Sequence, residues 1–123
     1  MYGVSSDIDL GPFVGATLNQ VGLGPHDLQL HFDRPEPNDG AAHLSIWGRF
    51  EVRDPIGDVR EVGTPSEIRS RCLPDLLGSV VRSALAEPPS AIALTFETGH
   101  VLRVFDDTTQ YEAFAIEPGN VIV

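Results

Sequence analysis

The sequence has no lysine and one cysteine, Cys72. A lone cysteine excludes an intramolecular disulfide, so the fold must rest on its core. Cys72 itself reads as a small buried apolar residue near a helix end rather than a redox thiol or nucleophile. Without lysine, all positive charge comes from eight arginines, set against eighteen Asp and Glu for a formal net charge of −10 at pH 7. The missing lysine reads as the codon-usage imprint of a GC-rich bacterial genome. Nucleic acid and anionic membrane are not expected partners, because phosphate recognition needs a basic face. No apolar run approaches the ~20 residues of a membrane span. The start Met1-Tyr2-Gly3-Val4-Ser5-Ser6 lacks the basic residues and apolar run of a signal peptide, so a cytoplasmic location is expected.

Catalytic motifs are lacking as well. The four histidines (His26, His31, His43, His100) are scattered, with no HExxH or CxxC spacing to mark a metal centre. Glycines 11, 15, 22 and 24 do not form a GxGxxG opening a helix, and no GxSxG elbow occurs. The expectation is therefore a non-enzyme without cofactor or metal. His31 and His43 could face each other across a hairpin, and there they read as surface residues.

What is present is strand patterning. At 123 residues the chain fits one domain, long enough to bury a core unaided. Ile92, Leu94 and Phe96 alternate with Ala93, Thr95 and Glu97, the period of a half-buried strand. Thr98-Gly99 turns the chain into a second strand, His100 to Phe105. The polar loop Asp106 to Thr109 leads into a third, Tyr111 to Ile116, and the three are expected to run consecutively antiparallel. Asp54-Pro55-Ile56-Gly57-Asp58 reads as a turn joining Trp47–Arg53 to Val59–Val62 in a hairpin. Thr64, Pro65 and Glu67 make a helix start, with a short helix over 65–73 stopped by Pro74. Ser79 to Ala86 reads as strand.

The two halves echo each other. Phe13-Val14-Gly15-Ala16-Thr17-Leu18 leads to Leu28-Gln29-Leu30-His31-Phe32, as Leu76-Leu77-Gly78-Ser79-Val80-Val81 leads to Ile92-Ala93-Leu94-Thr95-Phe96. A histidine-led strand follows each, at His43 and at His100. The expected fold is α+β and mainly β. It would be one antiparallel sheet or small open barrel of about six to eight strands with one short helix, built from two similar three-stranded halves.

The carboxylates give the candidate sites. Asp106, Asp107, Glu112 and Glu97 form an expected acidic group near the last loop, and Asp33, Glu36 and Asp39 of the proline-rich loop form a second patch. The DxDxDG spacing of a calcium loop is missing, so these are read as partner-binding groups. Glu112 could instead pair with Arg103.

Leu76-Leu77-Gly78, Leu94 to Gly99, Val101 to Val104, Asp106-Asp107 and Tyr111-Glu112-Ala113-Phe114-Ala115-Ile116 make up one pattern. It resembles a group of small acidic bacterial domains of unknown function, similar to immunity proteins of toxin systems. The resemblance covers the second half of the chain and implies no catalytic residues. With the charge balance, it leads to the expectation of an acidic immunity-type protein that binds a basic partner, such as a toxin domain, and occludes it. The alternative is a small-molecule-binding or regulatory β domain without catalysis.

Overall fold

The computed structural model describes residues 9–34, 41–65, 76–88, 91–106, 114–117 and 121–122. After a 3-10 turn at Gly11–Phe13, the strands run β1 (Thr17–Leu23), β2 (Leu28–Asp33), β3 (Ala41–Ile46), β4 (Phe50–Arg53) and β5 (Val59–Gly63). The second half continues with β6 (Val81–Glu87), β7 (Ala91–Phe96), β8 (Val101–Phe105), β9 (Phe114–Glu117) and β10 (Val121–Ile122). These ten strands form two five-stranded antiparallel sheets, β1-β2-β3-β9-β10 (sheet A) and β5-β4-β8-β7-β6 (sheet B). Mainly β and antiparallel therefore holds, with two sheets in place of one. Beyond Pro65, the helix expected over 65–73 lies outside the described residues.

The topology is interwoven. Each half lays three consecutive strands in one sheet and sends its last two strands into the other, so β4-β5 extend β8 and β9-β10 extend β3. The expectation of three consecutive strands over 91–116 is corrected here. β7 and β8 pair with each other, but β9 pairs with β3 in the opposite sheet. The alternation of Phe114 and Ile116 marks a strand with one apolar face. It cannot say which sheet receives that face.

Register makes the two halves superimposable in pattern. Sheet A carries the rung Leu30–Leu44–Ile116, and sheet B carries Leu94–Leu102–Val52. Next to these, Phe114 sits opposite Ile46 and Phe50 opposite Val104. All ten of these side chains are buried and meet in a single core between the sheets. Alternation with period two puts them inward, and removing such apolar area from water is the main drive for folding. Phe13 packs edge-on against Phe32, with ring centroids 5.3 Å apart and planes at 81°.

Even the irregularities repeat. β1 is bulged between Leu18 and Gln20, and β6 between Val81 and Ser83. Each of these strands is preceded by a glycine in the left-handed region, Gly15 at φ 82° and Gly78 at φ 86°, a conformation that L side chains resist. The two glycine turns cross-pair: the Gly15 amide donates to the Val81 carbonyl, the Gly78 amide to the Leu18 carbonyl, and Thr17 bridges Val80. A seam thus joins sheet A to sheet B along one edge.

Candidate functional site

The seam is where two of the expected site residues come together. Asp33 is paired with Thr17, Thr17 bridges Val80, and the Glu97 amide donates to the Val80 carbonyl at 2.8 Å. Asp33, Thr17, Val80 and Glu97 therefore lie on one line across four strand segments. The adjoining rungs, Phe32–Leu18 on one side and Ala16–Val81–Phe96 on the other, are buried, so the pleat turns the Asp33–Glu97 line outward. Both carboxylates are exposed, while Thr17 and Val80 between them are half-buried. At the usual strand spacing, the backbones of Asp33 and Glu97 stand about 14 Å apart. Val14 and Leu77, each just before its seam glycine, are exposed to 47% and 46%. The outward seam thus sets Thr17 and Val80 between two exposed acids, with Val14 and Leu77 exposed at the turns that lead into it.

The other candidates divide. Asp106 follows β8 and is buried, so it is not on the exposed rim expected of it. Because Phe105 pairs with Ala91 at the start of β7 and Glu97 follows the end of β7, Asp106 and Glu97 lie at opposite ends of the hairpin. They form no shared cluster. Asp107, Glu112, Glu36 and Asp39 lie outside the described residues.

An ion-pair network that strand alternation alone does not single out covers the outer face of sheet B. Glu51 on β4 stands opposite Arg103 on β8, and its Oε1 accepts from Arg103 Nη1 at 2.7 Å and from Arg53 Nε at 3.0 Å. Arg103 also donates from Nε to Glu87 at 2.6 Å. Among the described residues Arg103 pairs with Glu51 and Glu87; the pairing expected for Glu112 lies outside them. Burial pushes the Glu51 carboxyl up, but the hydrogen bonds from Arg103 and Arg53 and then their charges outweigh it, leaving Glu51 below its ordinary value. The Glu87 hydrogen bond, opposed by burial and aided by Glu51, raises Arg103. The one sequence signal at Glu51 is a carboxylate set between Phe50 and Val52; its partner Arg103 comes from a strand of the other half.

The turn between β4 and β5 is built on Asp54. Its Oδ1 accepts from the amides of Ile56 and Asp58 at 3.1 and 3.0 Å, and its Oδ2 pairs with Arg60 Nε at 2.9 Å. Burial works against the charge, yet the Asp58 amide, Arg60 and the Ile56 amide together hold the Asp54 carboxyl below the usual range. Arg49 lies over the Phe105 ring at 3.9 Å. The result is that Arg53, Arg60 and Arg103 are matched by internal carboxylates.

On the outer face of sheet A, His31 and His43 face each other in register and stack, with ring centroids 4.2 Å apart and planes at 13°. The hairpin pairing expected for them is correct. Among the described residues no group of three or more His, Cys, Asp or Glu is arranged to hold a metal, and no helix is long and apolar enough to cross a membrane. Comparison of the chain with protein-family models, curated proteins and solved structures gives no match.

Proposed function

We propose that this protein is a cytoplasmic, acidic protein-binding module of the immunity type, which binds a basic toxin domain and occludes it. The observation that carries the reading is the outward seam. Asp33 and Glu97 flank Thr17 and Val80 there, with the apolar Val14 and Leu77 exposed at the adjoining turns, while Arg53, Arg60 and Arg103 are engaged with carboxylates of the chain itself. Acidic groups beside exposed apolar side chains suit a basic partner in two ways. They steer its approach at long range, and the apolar side chains supply the part of the contact that excludes water. A net charge of −10 adds to that steering over the whole surface.

The test is capture followed by neutralisation. The immobilised chain is expected to retain a basic protein from its own organism at low salt and release it at high salt. Expressed alone, that captured protein should be toxic; co-expressed with this chain, it should be harmless. In the double variant Asp33→Asn/Glu97→Gln, association should slow more than dissociation speeds up. Unchanged association at low salt, or toxicity undiminished by co-expression, counts against the reading.

A further inference from the structure

The turn joining β4 to β5 carries the most exposed large apolar side chain among the described residues, Ile56, at 81%. We propose that Ile56 is an anchor that enters an apolar pocket on a basic protein partner, with the acids Asp58 and Glu97 beside it. The proposal rests on the reading of the chain as a protein-binding module and adds the side chain that holds the complex together. Turn chemistry does not call for an isoleucine here. The Gly57 amide closes the turn on the Asp54 carbonyl at 2.9 Å, and Asp54, Pro55 and Gly57 stand where a type I turn favours Asp, Pro and Gly. The place between Pro55 and Gly57 is one that turns usually fill with a polar residue. In the matching connection between β9 and β10 the sequence is Pro118-Gly119-Asn120, without an aliphatic tip. A residue that breaks the local rule with no return to the fold marks a place where function is served.

The tip is held in place before any partner arrives. The Asp54 carboxylate accepts from the Ile56 and Asp58 amides and pairs with Arg60. The Asp54 amide donates to the Asp58 carbonyl at 2.9 Å, and Arg53 Nη1 donates to the Gly57 carbonyl at 2.9 Å. Pro55 lies against the β7–β8 turn, where a Cβ added at Gly99 would stand 3.0 Å from Pro55 Cβ. Little backbone freedom is left to lose on binding, which favours affinity. The contact with Gly99 also sets the charge around the tip. Glu97, the seam acid, begins that β7–β8 turn, and Asp58 follows Ile56 by two residues; both are exposed. Arg53 and Arg60 beside them are paired with carboxylates of the chain. An apolar side chain framed by acids, with the neighbouring cations matched, fits a pocket with a basic rim. A second copy of this chain, itself at −10, meets it with the wrong sign.

The probe is the basic protein that the parent chain retains at low salt and neutralises on co-expression, purified and passed over the immobilised full chain to read both rate constants. Ile56→Ser should speed dissociation roughly 10- to 100-fold, the affinity equivalent of burying one aliphatic side chain, and leave association nearly unchanged. Urea unfolding of Ile56→Ser should match the parent, because the side chain is 81% exposed. Contact is read directly with Ile56→Cys in a Cys72→Ser background, labelled with a benzophenone maleimide. Illumination should link the chain to the same basic protein. The label at Leu85→Cys, exposed to 63% on β6 at the opposite edge of sheet B from β5, should not. If the parent retains no basic protein, the protein-binding reading falls and the anchor with it. If the parent binds and Ile56→Ser dissociates as slowly, or the label at position 56 links only to a second copy of this chain, the anchor alone is overturned.

Discussion

Ser45 and Arg103 occupy the same place in their respective sheets. Each lies one residue beyond a core leucine, Leu44 or Leu102, and each stands between a strand of its own meander and a strand supplied by the other half. Around Ser45 the neighbours are Gln29 and Ala115; around Arg103 they are Ala93 and Glu51. In sheet A, Ser45 Oγ donates to Gln29 Oε1 and Gln29 Nε2 donates to Asp27 Oδ2, both at 2.7 Å. In sheet B the same position carries ion pairs. The inward residues of the two sheets are interchangeable in kind, and the outward ones are not. Packing constrains the first set, because each must fill the same space between the sheets. The second set is free to differ, and this is where function can reside.

If the inner faces are equivalent, cutting the same rung in either sheet should cost the same. Leu44→Ala and Leu102→Ala each remove a fully buried side chain and should each destabilise by about 2–5 kcal/mol. The measurement is urea unfolding of both variants at neutral pH. A difference between them as large as either loss would show that the two sheets are not equivalent supports, and the pairing of rungs would lose its meaning.

The outer faces should separate under the next substitution. The Glu51 side chain is 10% exposed and its partner Arg103 26%, whereas Glu87, Arg53 and Arg60 are 43%, 40% and 57% exposed. Surface pairs of the latter kind contribute little, so the weight falls on Glu51 and Arg103. Glu51→Gln should cost about 2 kcal/mol at pH 7, the range for hydrogen bonds to a charged group. The carboxyl of Glu51 is lowered in the folded state from 4.5. A lowered carboxyl stabilises fully above its unfolded value, and that contribution is lost as pH falls through the folded one. The gap between Glu51→Gln and the parent should therefore be widest near neutrality and close on acidification below about pH 4.5. A gap that persists into strong acid would assign the loss to packing rather than charge.

The sequence makes the inner faces legible and the outer ones hardly at all. Leu28, Leu30 and Phe32 against Ile92, Leu94 and Phe96 repeat with period two, so strands, hairpins and the echo of the halves can be read directly. The Phe50–Arg53 and Val59–Gly63 hairpin is equally plain, because Asp54 and Gly57 set its turn. Sheet membership is not legible, since Phe114 satisfies a place beside Ile46 as well as one beside Phe105. The cost of crossing between sheets is settled by the whole core rather than by any local signal. Of the candidate acids, Asp33 and Glu97 are exposed and Asp106 is buried. Their distribution follows from the seam, and pairing between Thr17 and Val80 links segments too distant in sequence for alternation to connect. Glu51 escapes notice because its partner Arg103 lies on a strand from the other half.

The smallest effect is expected on the sheet A side of the comparison. Ser45→Ala removes the donor to Gln29 Oε1, but the network is part-buried, so water can replace the lost hydroxyl in part. The cost should be about 0.5–1 kcal/mol, the net worth of a neutral hydrogen bond. Because neither Ser45 nor Gln29 is charged, the loss should not change when salt is raised, in contrast to one carried by exposed charges. Urea unfolding of Ser45→Ala at low and high salt, beside Glu51→Gln under the same conditions, measures both. Equal losses in the two variants would mean that the ion pairs of sheet B add nothing beyond ordinary hydrogen bonds. A loss in Ser45→Ala well below that of Glu51→Gln leaves sheet B as the face held by charge. Sheet A is then the face whose polar groups cost little to alter.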